Sequence, residues 1–375
     1  MVLRMLSIWF GGIGDGAESP APGGSSNCPD RRVVGLRSGL LSIFVGLVAS
    51  LSHGGPAVAL EAVSEFGGNP GALEMFIHRP ADFRDGLPLV VALHGCTQTA
   101  GQFDDETGLV ALAEEVPFVL VLPQQRPENM ERRCFRWYDR EDNRPGLGES
   151  ASILSMIGTA IDRNAVDPDR VHVLGLSAGG AMTAVMLANH PDRFAGGAIL
   201  AATPFDCNRP SGAFDWTWYW LHYSPFAPDG ADAAVACGIG VPLTRDRTGE
   251  EWARYVRDVA EETPERWPLV SLWHGGGDET VDPDNLDELI EQWTAVHGID
   301  AVPDQSERIE NASRDVYTDA TGAALVEAWS LDGFPHAFPI DADGDPEPCG
   351  VPADYIVDAE ICAIRRLVDF WGLGD

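Results

Sequence analysis

Short apolar runs alternate with amphipathic stretches along the chain from residue 73 onward. Several runs are almost continuously apolar, as strands are when both faces of a parallel sheet are covered. We therefore predict strands at residues 73–77, 89–93, 118–122, 171–176, 196–200, 269–273 and 325–331.

Between these runs, apolar residues recur at the spacing of one helix face. The predicted helices are marked by Ile153, Met156, Ile157, Ala160 and Ile161, by Leu286, Leu289, Ile290 and Trp293 after a predicted N-cap at Asp284, and by Ile361, Ile364, Val368 and Trp371. Alternating strands and helices predict an α/β fold with a doubly wound, mostly parallel sheet and helices on both faces.

The first 59 residues differ in pattern from the rest. A Gly-, Pro- and Ser-rich stretch at residues 11–30 is followed by three arginines, an apolar run at residues 39–51 and small residues at 57–59. This order predicts a signal peptide over residues 1–59 with an atypically long first region and cleavage after Ala59. We expect a secreted or periplasmic protein without stable membrane insertion, because the run is too short to span a bilayer. An uncleaved membrane anchor is the alternative.

The charge is strongly negative. The chain carries 58 acidic and 25 basic residues, all of the latter Arg, for a net charge of −33. Such a field repels nucleic acid and anionic membrane surfaces, so neither is an expected partner. An acidic surface also suits a salty environment, where counterions screen self-repulsion.

Six cysteines follow the predicted signal peptide: Cys96, Cys134, Cys207, Cys237, Cys349 and Cys362. An even number in an exported chain favours disulfides, although sequence spacing alone does not choose the pairs. No Cys/His spacing supports a metal site, and we predict neither a metal nor a cofactor.

The strongest chemical motif is Gly-Leu-Ser-Ala-Gly at residues 175–179. It follows a predicted strand and precedes a helical stretch, which is the context of a nucleophile elbow. Ser177 is the predicted nucleophile, and the N–H of Ala178 at the start of the helix is a predicted oxyanion donor. A structural glycine-rich turn is the alternative.

A serine hydroxyl needs a base, and in this architecture the acid and the histidine follow it along the chain. Asp278 lies just past the predicted strand at 269–273, and His336 lies in the loop after the last predicted strand. They are the predicted acid and base, with Glu279 and Asp282 as rivals for the acid. The strand at 89–93 runs into His-Gly-Cys, so the N–H of Cys96 is the second predicted oxyanion donor, unless that loop is only a tight turn.

Five sequence blocks recur in the order of a known family: LHGCTQ, CFRWYDREDNRPGLGESASI, GLSAGGAMT, WHGGGDETVDPDN and HAFPID followed by a cysteine-containing helix. With these blocks, roughly residues 70–372 resemble the polyhydroxybutyrate depolymerase-like esterases, a branch of α/β-hydrolases that includes feruloyl and acetylxylan esterases.

The resemblance implies the triad Ser177, Asp278 and His336 and the two oxyanion donors already named. It also implies that Trp137 lines the substrate groove, and Gln98 of the first block is a second predicted substrate-binding residue. The disulfides it implies are Cys96–Cys134, Cys207–Cys237 and Cys349–Cys362.

Two departures from the family pattern bear on the substrate. An aromatic-rich insertion at about 208–236 is either a lid or packing for an enlarged loop, and no linker or binding module follows the last predicted helix. Both departures argue against a crystalline polymer as the substrate. The acidic stretch at 341–345 resembles a calcium loop, but its glycine is misplaced, so a solvated turn is the better interpretation.

We therefore predict that residues 60–375 form a single catalytic α/β-hydrolase domain. Its predicted activity is hydrolysis of polyhydroxyalkanoate esters, polymer or oligomer, through an acyl-enzyme. The alternatives are a feruloyl or acetylxylan esterase acting on plant polysaccharide and a non-catalytic polymer-binding protein. The expected partner is the ester substrate, and the sequence does not determine the oligomeric state.

Overall fold

The computed structural model describes residues 60–210, 230–242, 246–260, 263–344 and 348–374. The predicted signal peptide lies outside the described residues, as do residues 211–229, which hold most of the predicted aromatic insertion.

The described residues form strands and helices in alternation. The strands are β1 Glu61–Val63, β2 Glu74–His78, β3 Leu89–Leu93, β4 Val119–Gln124, β5 Val171–Leu176, β6 Gly196–Leu200, β7 Leu269–Gly275, β8 Gln305–Ile309, β9 Ala312–Thr318, β10 Ala324–Leu331, β11 Phe338–Ile340 and β12 Ile356–Asp358. The helices are α1 Ala100–Thr107, α2 Leu109–Glu115, α3 Gly148–Asn164, α4 Ala178–Asn189, α5 Ala231–Ala236, α6 Gly249–Val259, α7 Asn285–His297 and α8 Ala363–Trp371.

Ten of these strands form one sheet in the order β1-β2-β4-β3-β5-β6-β7-β10-β9-β8. The six strands from β4 to β10 in that order are parallel, whereas the outer strands pair antiparallel. Strands β11 and β12 form a small parallel pair of their own. The predicted α/β-hydrolase fold, with its mostly parallel sheet, is confirmed.

All seven predicted strands are present, with ends within a few residues of the predicted ones. The strands that the apolar pattern missed are short or polar. Gln305–Ile309, for example, is almost fully exposed along its length. An edge strand of this kind does not bury a face, so it leaves no run of apolar residues in the sequence.

The sheet separates two apolar layers. Alternate side chains of β3 point to opposite faces, so Val91 belongs to the apolar layer that holds Ile153 of α3 and Trp293 of α7, while Val90 belongs to the layer that holds Phe103 of α1 and Leu367 of α8. Asp284 precedes α7 as predicted, but its side chain makes no capping hydrogen bond. In the described part of the chain, no helix combines the length and apolar character that crossing a membrane requires.

Three disulfides join Cys96 to Cys134, Cys207 to Cys237 and Cys349 to Cys362. These are the pairs that the family resemblance implied. Disulfides persist in oxidising compartments, so they indicate a protein that functions outside the cytoplasm.

Candidate active site

Ser177 lies in a turn that only a glycine-rich sequence can form. Its backbone has φ 57° and ψ −120°, between the end of β5 and the first residue of α4. A side chain at Gly175 would overlap the carbonyl oxygen of Gly179, and a side chain at Gly179 would overlap the carbonyl oxygen of Leu93 in β3. The close approach of strand, turn and helix therefore requires both glycines, and it holds the Ser177 hydroxyl at the carboxyl edge of the sheet.

Two loops bring a histidine and a carboxylate to this hydroxyl. His336, after β10, places Nε2 2.9 Å from Ser177 Oγ and Nδ1 2.7 Å from Asp278 Oδ2. All three residues are buried, with 5%, 8% and 5% exposure for Ser177, His336 and Asp278. Glu279, a rival for the acid in the sequence, is exposed instead. The structure thus brings together the three residues that the sequence singled out, in the order Ser–His–Asp.

The Asp278 carboxylate has a donor on every side. Its Oδ1 accepts the backbone N–H groups of Thr280 at 2.8 Å and Val281 at 2.9 Å. Its Oδ2 faces His336 and also His274, whose Nε2 lies 3.3 Å away. Burial alone would raise the pKa of Asp278, but hydrogen bonds and charge from the two histidines outweigh it and hold the pKa well below its usual range. A permanently charged carboxylate can orient an imidazole and stabilise its protonated form.

The loop after β3, which lines the same pocket, holds one of its peptide groups in a fixed orientation. His94 is fully buried, and burial lowers its pKa to about 4, so its ring is neutral. Its Nδ1 contacts the Gly95 carbonyl oxygen at 2.7 Å, while its Nε2 accepts the N–H of Gln125 at 3.1 Å. The Gly95 carbonyl shares a peptide plane with the N–H of Cys96, so this contact fixes the direction of that N–H.

Ala178 is the first residue of α4, and its N–H has no partner within the helix.

Comparison with known proteins agrees with this geometry. Residues 74–209 match the model of the family described as esterase PHB depolymerase. The chain is 38% identical over 315 residues to poly(3-hydroxyalkanoate) depolymerase C of Paucimonas lemoignei, an alignment that covers 84% of this chain and 70% of that protein.

This chain belongs to the esterase PHB depolymerase family. It is a carboxylic ester hydrolase of the serine esterase type. It is also 32% identical over 292 residues to an acetylxylan esterase of Coprinopsis cinerea, with 76% of this chain and 70% of that protein aligned. Among solved structures, acetyl xylan esterase from Aspergillus awamori matches with a TM-score of 0.66 and 23% identity over 84% of this chain and 99% of that one. That structural match reflects a shared fold.

The esterase has a pocket of about 100 Å³ that is lined by Ser177 and His336. Gln98 lines it; its Oε1 accepts the N–H of Gly95 at 2.9 Å, whereas its buried Nε2 has no partner among the described residues. Trp137 is placed differently. It is only 6% exposed, packs in the core with its ring edge-on to Tyr138, and is not among the described residues that line the pocket.

Sequence reasoning missed several residues that line this pocket, among them Arg132, Thr280 and Tyr355. Thr280 follows the acid in the same loop, so its proximity could have been inferred. Tyr355 lies between the two cysteines of the last disulfide, and its ring centroid is 6.2 Å from that of His336. Only the folded chain brings Arg132 and Tyr355 to the pocket, because Arg132 follows β4 whereas Tyr355 precedes β12, far away in the sequence.

Proposed function

We propose that this esterase hydrolyses polyhydroxyalkanoate ester bonds, as oligomers or polymer, through an acyl-enzyme formed on Ser177. The observation that carries the acyl-enzyme mechanism is the unbroken hydrogen-bonded chain from Ser177 Oγ through His336 to Asp278. This arrangement gives a buried hydroxyl a base, and the base a charged partner.

In the first step Ser177 Oγ attacks the ester carbonyl carbon while His336 Nε2 takes the hydroxyl proton. The carbon–oxygen ester bond then breaks, and the same proton passes from His336 to the departing alcohol. In the second step His336 removes a proton from water, the water oxygen attacks the acyl-enzyme, and the proton returns to Ser177 as the acid leaves. One water is consumed for each acid and alcohol released, and Asp278 stays ionised throughout.

The N–H groups of Cys96 and Ala178 are the proposed oxyanion donors. Negative charge develops on the carbonyl oxygen in each tetrahedral intermediate, and two fixed donors stabilise it, each by about 3 kcal/mol. The disulfide between Cys96 and Cys134 ties the donor loop to a second segment. That tie restrains the loop before substrate arrives, which lowers the cost of organising the site.

Gln98 and Trp137 are the proposed substrate-binding residues. Support for Gln98 is its place in the pocket and the unpartnered Nε2, which is a donor suited to an ester carbonyl of the substrate. The proposal for Trp137 requires its ring to become accessible, because it is nearly buried. We also propose that residues 60–375 are the catalytic domain and that residues 1–59 are a signal peptide cleaved after Ala59. The N-terminal sequence of the exported protein tests the cleavage site.

The substrate class rests on the 38% identity to a poly(3-hydroxyalkanoate) depolymerase. The second candidate, deacylation of plant polysaccharide, is favoured by 32% identity to an acetylxylan esterase and 30% identity to a feruloyl esterase B of Thermothelomyces thermophilus.

A hydrolysis panel separates the two candidates. We expect wild type to cleave 3-hydroxybutyrate oligomers faster than methyl ferulate or acetylated xylan, and the reverse order would transfer the proposal to the second candidate. Ser177→Ala should lower every rate by roughly 10,000-fold or more and abolish labelling by an organophosphonate. The matched control is Ser155→Ala on α3, whose hydroxyl bonds only the Ala151 carbonyl and should be dispensable. Full activity in Ser177→Ala would refute the mechanism.

A further inference from the structure

Arg132 gives the pocket a positive charge that no step of the proposed chemistry uses. It lines the pocket together with Ser177 and His336, and none of the described residues that line the pocket is Asp or Glu. This is unusual in a chain with a net charge of −33. Arg132 is half-buried, and it forms no ion pair with any residue in the described part of the chain.

The backbone of Arg132 is held against the oxyanion loop. Its carbonyl oxygen accepts the N–H of Thr97 at 2.6 Å, and the next residue but one is Cys134, which is bonded to Cys96. Arg132 therefore belongs to the same restrained unit as the proposed donor Cys96. A guanidinium without a carboxylate partner in a partly buried pocket is a binding group for an anion, and carboxylate geometry suits it best.

We propose that Arg132 binds the free carboxylate at the end of a hydroxyacid chain, so that the preferred substrates are short, carboxyl-terminated oligomers. This inference rests on the proposed function. In a dimer of 3-hydroxybutyrate the carboxylate is only one hydroxyacid unit from the scissile ester, so one pocket can hold both. Neutral acetyl and feruloyl esters offer no such group.

The test uses two substrates that differ only in charge: the 3-hydroxybutyrate dimer and its methyl ester. Arg132→Gln should lower kcat/KM for the free-acid dimer by roughly 10- to 100-fold, the effect of losing one charge-assisted contact, and leave the methyl ester within about 2-fold. Arg133→Gln is the matched control, since it removes the same charge from the neighbouring residue, which does not line the pocket. It should leave both substrates unaffected.

The outcomes distinguish a failure of the carboxylate site from a failure of the proposed function. If wild type cleaves neither dimer but does cleave acetyl or feruloyl esters, the proposed function fails and the inference fails with it. If wild type cleaves both dimers and Arg132→Gln lowers both equally, or neither, only the carboxylate site is overturned.

A separate observation concerns His274, the residue before the last in β7. It is 2% exposed, and its Nε2 lies 3.1 Å from the Val281 carbonyl oxygen and 3.3 Å from Asp278 Oδ2. Its Nδ1 is buried without a partner among the described residues. A carbonyl oxygen needs a donor, so the ring proton resides on Nε2 and is shared between Val281 and Asp278.

The geometry points to His274 as a positioning residue for the acid. The titratable side chains in contact with Asp278 are His274 and His336, and both reach the same oxygen, Oδ2. The N–H of His274 draws electron density from that oxygen, so Asp278 holds the His336 ring without accepting its proton. It also prevents the carboxylate from rotating Oδ2 away from His336.

Removal of this donor should change the pH profile as well as the rate. In His274→Phe the carboxylate becomes more basic and attracts the His336 proton more strongly, so the acid limb of kcat/KM should move to higher pH. We expect kcat to fall roughly 10-fold with KM little changed, as for loss of one hydrogen bond to a charged group. His274→Gln keeps a donor of similar reach and should restore both the limb and kcat.

A purely structural role would give another result. The melting temperature should then fall in His274→Phe and His274→Gln alike, while the acid limb of kcat/KM stays at the wild-type pH. An acid limb that does not move in His274→Phe, or that moves equally in His274→Gln, overturns the positioning role. If the Phe variant does not fold, His274→Asn supplies the second donor-deficient test, because its shorter amide does not reach Asp278.

Discussion

Two buried carboxyl groups behave in opposite ways in this esterase. Asp278, in the loop after β7, is 5% exposed and its pKa is held well below its usual range. Glu149, at the start of α3, is 1% exposed, and burial together with the charge of Asp142 raises its pKa to about 8. Each carboxyl accepts hydrogen bonds, since Glu149 receives the Gln125 amide and the Arg136 N–H.

Burial disfavours the charge on both carboxyl groups, and the neighbours of Asp278 reverse its effect. Asp278 has two imidazoles and two peptide N–H groups around it, which together outweigh its desolvation. Glu149 has fewer donors and a second carboxylate close by, so it is most stable with its proton. The comparison teaches that several converging donors keep the buried Asp278 carboxylate charged at the candidate active site, whereas Glu149 lacks such a set of donors.

Asp278→Asn is the change with the largest expected effect. The Asn amide would donate to His336 Nδ1 and hold the ring in the wrong tautomer, so kcat should fall about 10,000-fold while the fold is kept. Steady-state kinetics with a 3-hydroxybutyrate oligomer and circular dichroism measure the two parts of the prediction. The control is Glu279→Gln, which alters the exposed neighbour and should leave kcat unchanged. A similar loss in both variants would show that the loop, not the charge, matters.

Glu149→Gln should make the free energy of unfolding less dependent on pH. The pKa of this carboxyl is about 8 in the folded state against 4.5 for an ordinary Glu, so folding retains a proton that the unfolded chain releases. Stability from Glu149 is therefore complete below the unfolded value and is lost as pH rises through the folded value, by about 3–5 kcal/mol. Urea unfolding of wild type and variant across this range measures the difference, in which other titrating groups cancel.

If the free energy of unfolding had the same pH dependence in both proteins, the contrast with Asp278 would be wrong, because Glu149 would then be ionised in the folded state as Asp278 is. If wild type loses stability relative to the variant above neutral pH, the contrast between the two carboxyl groups is supported.

Glu288→Gln should give the same sign with a smaller effect. Burial raises the pKa of Glu288 to about 7, but the Trp252 indole N–H donates to it and opposes the shift. Its stability contribution should therefore be lost between the ordinary Glu value and about pH 7, on the order of 2–3 kcal/mol. The same urea series tests it. A loss larger than that of Glu149 would contradict the smaller rise in the pKa of Glu288.

Much of the site could be predicted because its residues follow strands. The apolar runs located the parallel strands, and chain order then assigned Ser177, Asp278 and His336 to the loops at their carboxyl ends. The other residues that line the pocket were harder to predict from the sequence. Arg132 and Tyr355 lie in loops without periodicity. Both line the pocket, but their positions there depend on how the disulfides and the strand connections place these loops.

By itself the sequence determined the order of the strands along the chain, the elbow glycines and the identity of the three side chains that meet, because periodicity and tight-turn chemistry are local. The tertiary structure alone decided which carboxyl group is charged, that His274 shares the acid with His336, and that Arg132 rather than Trp137 lines the pocket. Those outcomes depend on distances between segments far apart in sequence, and electrostatic interactions change steeply with such distances and with the water they exclude.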